Sequence, residues 1–371
     1  MQSNNEKGFL ALVRAGLWEK DVRLSEFENL DYGEIYRLAE EQSVLGLVAA
    51  GLEHVVDVKP PKEVALQFVG QTLQLEQQNT TMNYFISVLV DKMRKAGIYT
   101  LLVKGQGVAQ CYERPLWRAC GDVDFFLSDE NYLKAQSFLL PLASSVDPEW
   151  HYSKHLGMII DPWVVELHGS LRCGLSSRVD KSLDSIKSDI IYGGSVRSWM
   201  NGNTQVFLPG EVNDAIYIFT HFLNHFYKGG LGLRQICDWC RLLWTYRETI
   251  DSKQLEQRLQ TMKLITEWKA FGSYAVNYLG MPSESMPLFS ANKKWESKAR
   301  KISSFIMEVG NFGHNRDLSF YTKYPYLIRK LYSFGLRTSD IFRHAGIFPI
   351  DSIRFFPKIL INGLFSVVRG E

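Results

Sequence analysis

The segment Gly121-Asp122-Val123-Asp124-Phe125-Phe126-Leu127 constrains this chain more than any other. Its apolar run predicts a β-strand over residues 123–127. On a strand, Asp122 and Asp124 leave one face while Val123, Phe125 and Leu127 leave the other. Two carboxylates held side by side repel each other unless a cation, a proton or solvent relieves them, and a divalent metal does so most effectively. The strand is therefore expected to carry a metal site on an otherwise apolar element.

A chain of 371 residues exceeds one ordinary core and suits two or three compact units. With 46% hydrophobic and 22% charged residues it reads as a globular protein, not a disordered one. The net charge of +2 makes no case for a polyanionic partner, so any such affinity must come from a local patch. The opening Met1-Gln2-Ser3-Asn4-Asn5-Glu6-Lys7 is polar and lacks a secretion pattern. Five cysteines, an odd number, favour reduced thiols over a disulfide framework, and a cytoplasmic location is expected. The longest apolar run near the end, residues 359–368, falls short of the roughly 20 residues of a spanning helix, so no transmembrane segment is expected.

The pattern from residue 6 to about 96 is helical. Phe9, Leu10, Leu12, Val13 and Leu17 form one apolar face, and Ile35, Leu38, Ala39 and Leu45 a second. After Pro60-Pro61 a long helix is predicted over 62–96, closed by Gly97. Then come a strand over 99–103, a short helix over 106–111, the acidic strand, and a helix over 130–140 behind a Ser128-Asp129 cap. Strands over 156–160 and 163–168 flank an Asp161-Pro162 turn. Helices follow over 211–226 and 233–246, with one longer helix over 255–279 ended by Gly280. The expected divisions are an N-terminal helical region (1–80), an α/β core (81–200) and a C-terminal helical region (201–371).

Magnesium takes oxygen ligands but few carboxylates, leaving positions for water and phosphate. A third acid on a neighbouring strand completes a two-metal arrangement. Glu166 is the candidate, because in Trp163-Val164-Val165-Glu166-Leu167-His168 it shares a face with His168, opposite Val165 and Leu167. Lys104-Gly105-Gln106-Gly107 offers a positive charge and glycines that admit phosphate to the backbone, although the order is not that of a P-loop. Arg114 and Arg118 lie in the loop before the acidic strand. Arg118, four residues ahead of Asp122, is favoured as a phosphate clamp.

Leu102-Val103-Lys104-Gly105, Tyr112, Pro115, Arg118, Gly121-Asp122-Val123-Asp124 and Glu166-Leu167-His168 resemble the pattern of the uncharacterised bacterial nucleotidyltransferase family within the DNA polymerase β-like superfamily. The likeness covers roughly residues 80–250, including His221, His225, Arg234 and Asp238. It implies an α+β fold, a small mixed sheet flanked by helices, with helical N- and C-terminal regions. It also implies transfer of a nucleoside monophosphate from an NTP to an acceptor hydroxyl, with release of pyrophosphate. By that resemblance Asp122 and Asp124 hold Mg2+ or Mn2+, Glu166 ligates one of the ions and helps activate the acceptor, and Lys104, Gly105 and Gln106 face the triphosphate. His168 itself reads as a core histidine or one that supports the metal ligands rather than as a ligand. Gln106 departs from the superfamily, which commonly has Gly or Ser there. The acceptor, whether small molecule, sugar, protein or RNA end, is not specified.

Other features favour plainer roles. His221 and His225 stand four apart, but Phe222 occupies the place where a zinc-protease motif needs glutamate. Cys237-Asp238-Trp239-Cys240 lacks a second ligand pair and reads as helix. His151 and His155 are expected in a turn or at the surface. The basic, aromatic tail from Tyr324 is expected to be a packing face with solvated arginines. A catalytically silent nucleotide-binding or protein-interaction module is the alternative function. A metal-dependent phosphohydrolase is weaker, because its histidine-rich ligand set is not evident.

Overall fold

The computed structural model describes residues 3–150, 154–311 and 326–357; His151 and the tail residues Lys358 and Arg369 lie outside them. Helix α1 (Asn4–Trp18) opens with a capping box, in which the Glu6 N–H donates to Ser3 Oγ at 3.1 Å and the Ser3 N–H to Glu6 Oε2 at 3.0 Å. Its apolar side, Phe9, Leu12 and Val13, packs with α2 (Tyr32–Glu41) and α3 (Leu45–Glu53). Helices α1 and α3 approach closely because glycine stands on both sides of the contact. A Cβ at Gly16 would lie 1.9 Å from the Leu47 carbonyl oxygen, and one at Gly51 2.1 Å from that of Leu12. Helix α4 (Lys62–Lys95) starts after the two prolines and ends before Gly97, whose φ of +73° suits a left-handed terminus. In its second half Met82, Ile86, Leu89, Val90 and Met93 recur at helical spacing and are buried.

These side chains cover one face of a seven-stranded mixed sheet with strand order β3-β4-β5-β2-β1-β7-β6. The strands are β1 (Leu101–Val103), β2 (Asp122–Phe126), β3 (Ser145–Val146), β4 (His155–Ile160), β5 (Trp163–His168), β6 (Val196–Asn201) and β7 (Thr204–Pro209). β1 runs parallel to β7 and β2 parallel to β5, and the other pairs are antiparallel. Alternation divides the sheet into two faces. Leu102, Val123, Phe125, Leu156, Met158, Val165, Leu167, Val206 and Leu208 join α4 and α6 (Asp129–Leu139) in one core. Leu101, Val103 and Phe126 turn the other way, into a larger core shared with the N-terminal and C-terminal helices. Asp122, Asp124, Glu166 and His168 lie on that second face.

The C-terminal helices are α8 (Glu211–Lys228), α9 (Leu233–Thr245), α10 (Ser252–Met262), α11 (Ile265–Asn277) and α12 (Lys293–Val309), with a further helix Tyr326–Ile347. Phe219 and Phe222 of α8 pack edge-on and tilted against Trp239 of α9 and Trp268 and Phe271 of α11. Such rings bury large apolar areas and add about 0.5–1.5 kcal/mol per pair beyond burial. Cys237 and Cys240 lie within this packing, where burial raises both thiols' pKa, and all five cysteines are free.

The single helix expected over 255–279 is instead two, α10 and α11, broken at Lys263, which adopts a left-handed φ of 60°. The buried side chains explain the break: Leu255, Leu259 and Met262 lie on one phase, and Leu264, Trp268, Phe271 and Ala275 on another two residues out of step. Helix α5 (Gly105–Ala109) starts one residue earlier than expected, α7 (Ser177–Ile191) fills a region left unassigned, and the β6–β7 hairpin turns at Gly202 with φ +60°. Among the described residues no helix is long and apolar enough to cross a membrane. In the tail, Arg343 pairs with Glu308 and Arg354 with Asp351.

Candidate active site

β2 and β5 lie parallel with Asp124 paired to Glu166 and Phe126 to His168, so both acids and the histidine leave the same face. Carboxylate oxygens of Asp122, Asp124 and Glu166 all come within 4.8 Å of one another. Asp124 is only 1% exposed; its Oδ1 accepts from the Lys104 ammonium at 2.7 Å and faces His168 Nε2 at 2.7 Å. Glu166 Oε2 lies 3.1 Å from His155 Nε2 and 3.4 Å from His168 Nε2. The structure thus brings His155 into the site, against the expectation of a surface histidine. Its place follows from the antiparallel pairing of His155 with His168.

The electrostatics follow from this crowding. The neighbouring charge of Asp124, with burial, raises the pKa of Asp122, and Lys104 opposes the shift only in part. Burial would raise the pKa of Glu166 too, but hydrogen bonds from His155 and His168 and the Lys104 charge outweigh it and hold the carboxyl well below its ordinary range. Burial would lower the pKa of His168, yet its bonds to Asp124 and Glu166 raise it. Burial likewise opposes the charge on Lys104, and Asp124 more than restores it. A cation placed among these oxygens relieves the repulsion that disturbs Asp122, so the donor set fits a hard divalent ion such as Mg2+ or Mn2+.

The Lys104-Gly105 turn joins β1 to α5 with both residues at positive φ, 56° and 36°. A left-handed conformation costs a non-glycine residue of order 1–3 kcal/mol, and here it holds the lysine against Asp124. A Cβ at Gly105 would press on Cys120 Sγ at 3.3 Å. Gln106 is buried; its amide donates to Asn79 Oδ1 at 2.7 Å, while Asn79 donates to the Leu116 and Arg118 carbonyls. Its side chain ties the turn to α4. The Arg118 guanidinium is committed to Asp238 through bonds of 3.0 and 2.7 Å, and Tyr112 donates to the same carboxylate at 2.8 Å. Arg114 pairs with Glu19 and Glu53.

Helix α8 covers the polar face of the sheet. Burial and the charges of Asp124 and Glu166 raise the Tyr217 phenol, which Lys104 opposes. His221 lies near Lys104, His168 and Glu166, and burial followed by Lys104 pushes it well below its ordinary pKa. Burial and the nearby cations push His225 down to about 4, and its Nε2 lies 3.1 Å from that of His221. Arg234, at the start of α9, donates to the Ala119 carbonyl at 2.8 Å, and its charge reaches Asp122. Tyr217 is not evident as a site residue from local sequence. Its signal is a polar stripe, Tyr217, His221, His225 and Lys228, at helical spacing on α8.

This arrangement combines three convergent carboxylates, a clamped lysine and neutral imidazoles under a helical cover. It is suited to binding a cation and a phosphorylated ligand. No curated protein and no solved structure matches the chain. Residues 28–280, more than half of the 371, match the family described as "Uncharacterised nucleotidyltransferase" and span the whole carboxylate site. The chain belongs to that uncharacterised nucleotidyltransferase family.

Proposed function

We propose that this protein is a metal-dependent nucleotidyltransferase of the DNA polymerase β-like superfamily, bacterial and cytoplasmic, that moves a nucleoside monophosphate from an NTP to an acceptor hydroxyl. The single observation that carries the reading is the convergence of Asp122, Asp124 and Glu166 oxygens within 4.8 Å on one sheet face. Asp122 and Asp124 would hold Mg2+ or Mn2+, with Glu166 completing the set. When bound, the ion supplies neutralisation of the leaving pyrophosphate and makes the acceptor hydroxyl easier to deprotonate. Glu166, held ionised by its imidazole partners, serves better as a ligand than as a base. Lys104, which stands 2.7 Å from Asp124, would offer its charge to the triphosphate, while Gly105 leaves room for phosphate at the turn. Tyr217 and the neutral His221 line the covered side and limit water. Catalysis is then positioning and charge neutralisation.

The test incubates the protein with magnesium, α-phosphate-labelled NTPs and cell extract, following pyrophosphate and label. Label should enter an acceptor with wild type and not with Asp122→Asn or Asp124→Asn, both folded by circular dichroism. Full activity in either variant refutes the assignment. One observation favours a silent binding module instead: Lys104 already sits 2.7 Å from Asp124, where a metal would bring its charge. On that reading calorimetry finds NTP binding while neither pyrophosphate nor labelled acceptor appears.

A further inference from the structure

The geometry points to a second metal position beside the aspartates, formed by His155 Nε2, Glu166 Oε2 and His168 Nε2 and selective for a softer divalent ion such as Zn2+ or Co2+. The three ligand atoms converge within 4.8 Å, the two rings lie 4.8 Å apart, and the side chains are 27%, 25% and 12% exposed, open enough for an ion to enter. The strands impose this grouping, since His155 pairs with His168 across β4 and β5 and Glu166 stands two residues along on the same face.

Two distances support a metal position. Ligands each about 2.0–2.2 Å from one ion at tetrahedral or right angles are separated by about 2.8–3.6 Å. The separations here are 3.1 Å from His155 and 3.4 Å from His168 to the shared oxygen. Protons alone serve the cluster poorly. His168 Nε2 carries at most one hydrogen yet faces both Asp124 Oδ1 at 2.7 Å and Glu166 Oε2 at 3.4 Å. An ion in place of that proton engages Glu166 and both rings together.

Two imidazoles and one carboxylate form a donor set that favours zinc, cobalt or iron over magnesium, whereas the all-carboxylate side favours the harder ion. Glu166 would join the two positions, giving an asymmetric pair. The inference does not require nucleotidyl transfer, because the imidazole position can fill in a protein that turns nothing over.

The test titrates metal-free, full-length protein with Co2+, following its visible d–d absorption, and with Zn2+ by calorimetry, in excess Mg2+ throughout. Wild type should bind with an absorption band of nitrogen-ligated cobalt, and Asp122→Asn should retain it. His155→Ala and His155→Gln, checked by circular dichroism, should each weaken Co2+ and Zn2+ binding at least about tenfold. The inference is overturned if wild type shows no band, if both His155 variants bind Co2+ like wild type, or if Asp122→Asn abolishes the band. Loss of Mg2+ binding in Asp122→Asn bears on the transferase reading alone.

Discussion

Removing the Asp238 carboxylate should cost far more in stability than in nucleotide binding. The Arg118 side chain is 4% exposed and that of Asp238 9%, with two charge-assisted bonds between them and a third from Tyr112. Asp238→Ala leaves the guanidinium buried with the Ala119 carbonyl as its remaining acceptor and strips the Tyr112 hydroxyl of its partner. Breaking one side of a buried pair costs about 3–5 kcal/mol, and here the charge-assisted bond from Tyr112 to the same carboxylate is lost as well. In urea unfolding followed by tryptophan fluorescence, which Trp117 and Trp239 place beside the pair, the midpoint should fall by roughly 1 M at a slope near 3 kcal/mol/M. Replacing both partners, Arg118→Met with Asp238→Leu, should recover most of the loss, since no charge is then left unpaired. The reasoning is refuted if Asp238→Ala unfolds within about 0.5 kcal/mol of wild type. It also fails if Arg118→Met weakens magnesium-dependent NTP binding tenfold at unchanged stability, for then Arg118 reaches the nucleotide after all.

Gly105→Ala, at φ +36° with a Cβ 3.3 Å from Cys120 Sγ, should lose about 1–3 kcal/mol by thermal unfolding and weaken NTP binding by calorimetry. Gly16→Ala places a methyl 1.9 Å from the Leu47 carbonyl oxygen, so α1 and α3 must part; a loss of about 1–3 kcal/mol is expected, and an unchanged urea midpoint would contradict the close approach. His225, lowered to about 4 from an ordinary 6.5, binds fewer protons folded than unfolded between those values. Its contribution is therefore complete above pH 6.5 and lost as the pH falls toward 4, with a slope of at most about 1.4 kcal/mol per pH unit. His225→Gln should flatten the urea-midpoint profile across that window.

What could be read from the sequence was whatever local pattern decides. The prolines before α4 and Gly97 after it, the Ser128 cap of α6 and the alternation in β2 and β5 each act within a few residues, and those elements stand where expected. The opposition of Asp124 and Glu166 was implied only by shared alternation, because strand neighbours are chosen by tertiary packing. The partner of Arg118 lies 120 residues away in sequence, and that of Gln106 lies 27 residues back on α4. Spacing near the acidic strand could not reveal either. His155 looked like a turn histidine because its role depends on His168 across the hairpin. The α10–α11 break is written as a phase jump between Met262 and Leu264, and Gly202-Asn203, the two residues between the paired Asn201 and Thr204, is a hairpin signal.

The β2–β5 register also decides where this chain tolerates a change of length. An extra residue at the exposed Asp161-Pro162 tip only enlarges a surface turn. The same residue added between Trp163 and Glu166 rotates the third carboxylate to the opposite side, among Val123, Phe125 and Leu156, and leaves the aspartates one oxygen donor short. Insertions in homologous chains should therefore gather at the hairpin tip and spare the few residues ahead of the glutamate.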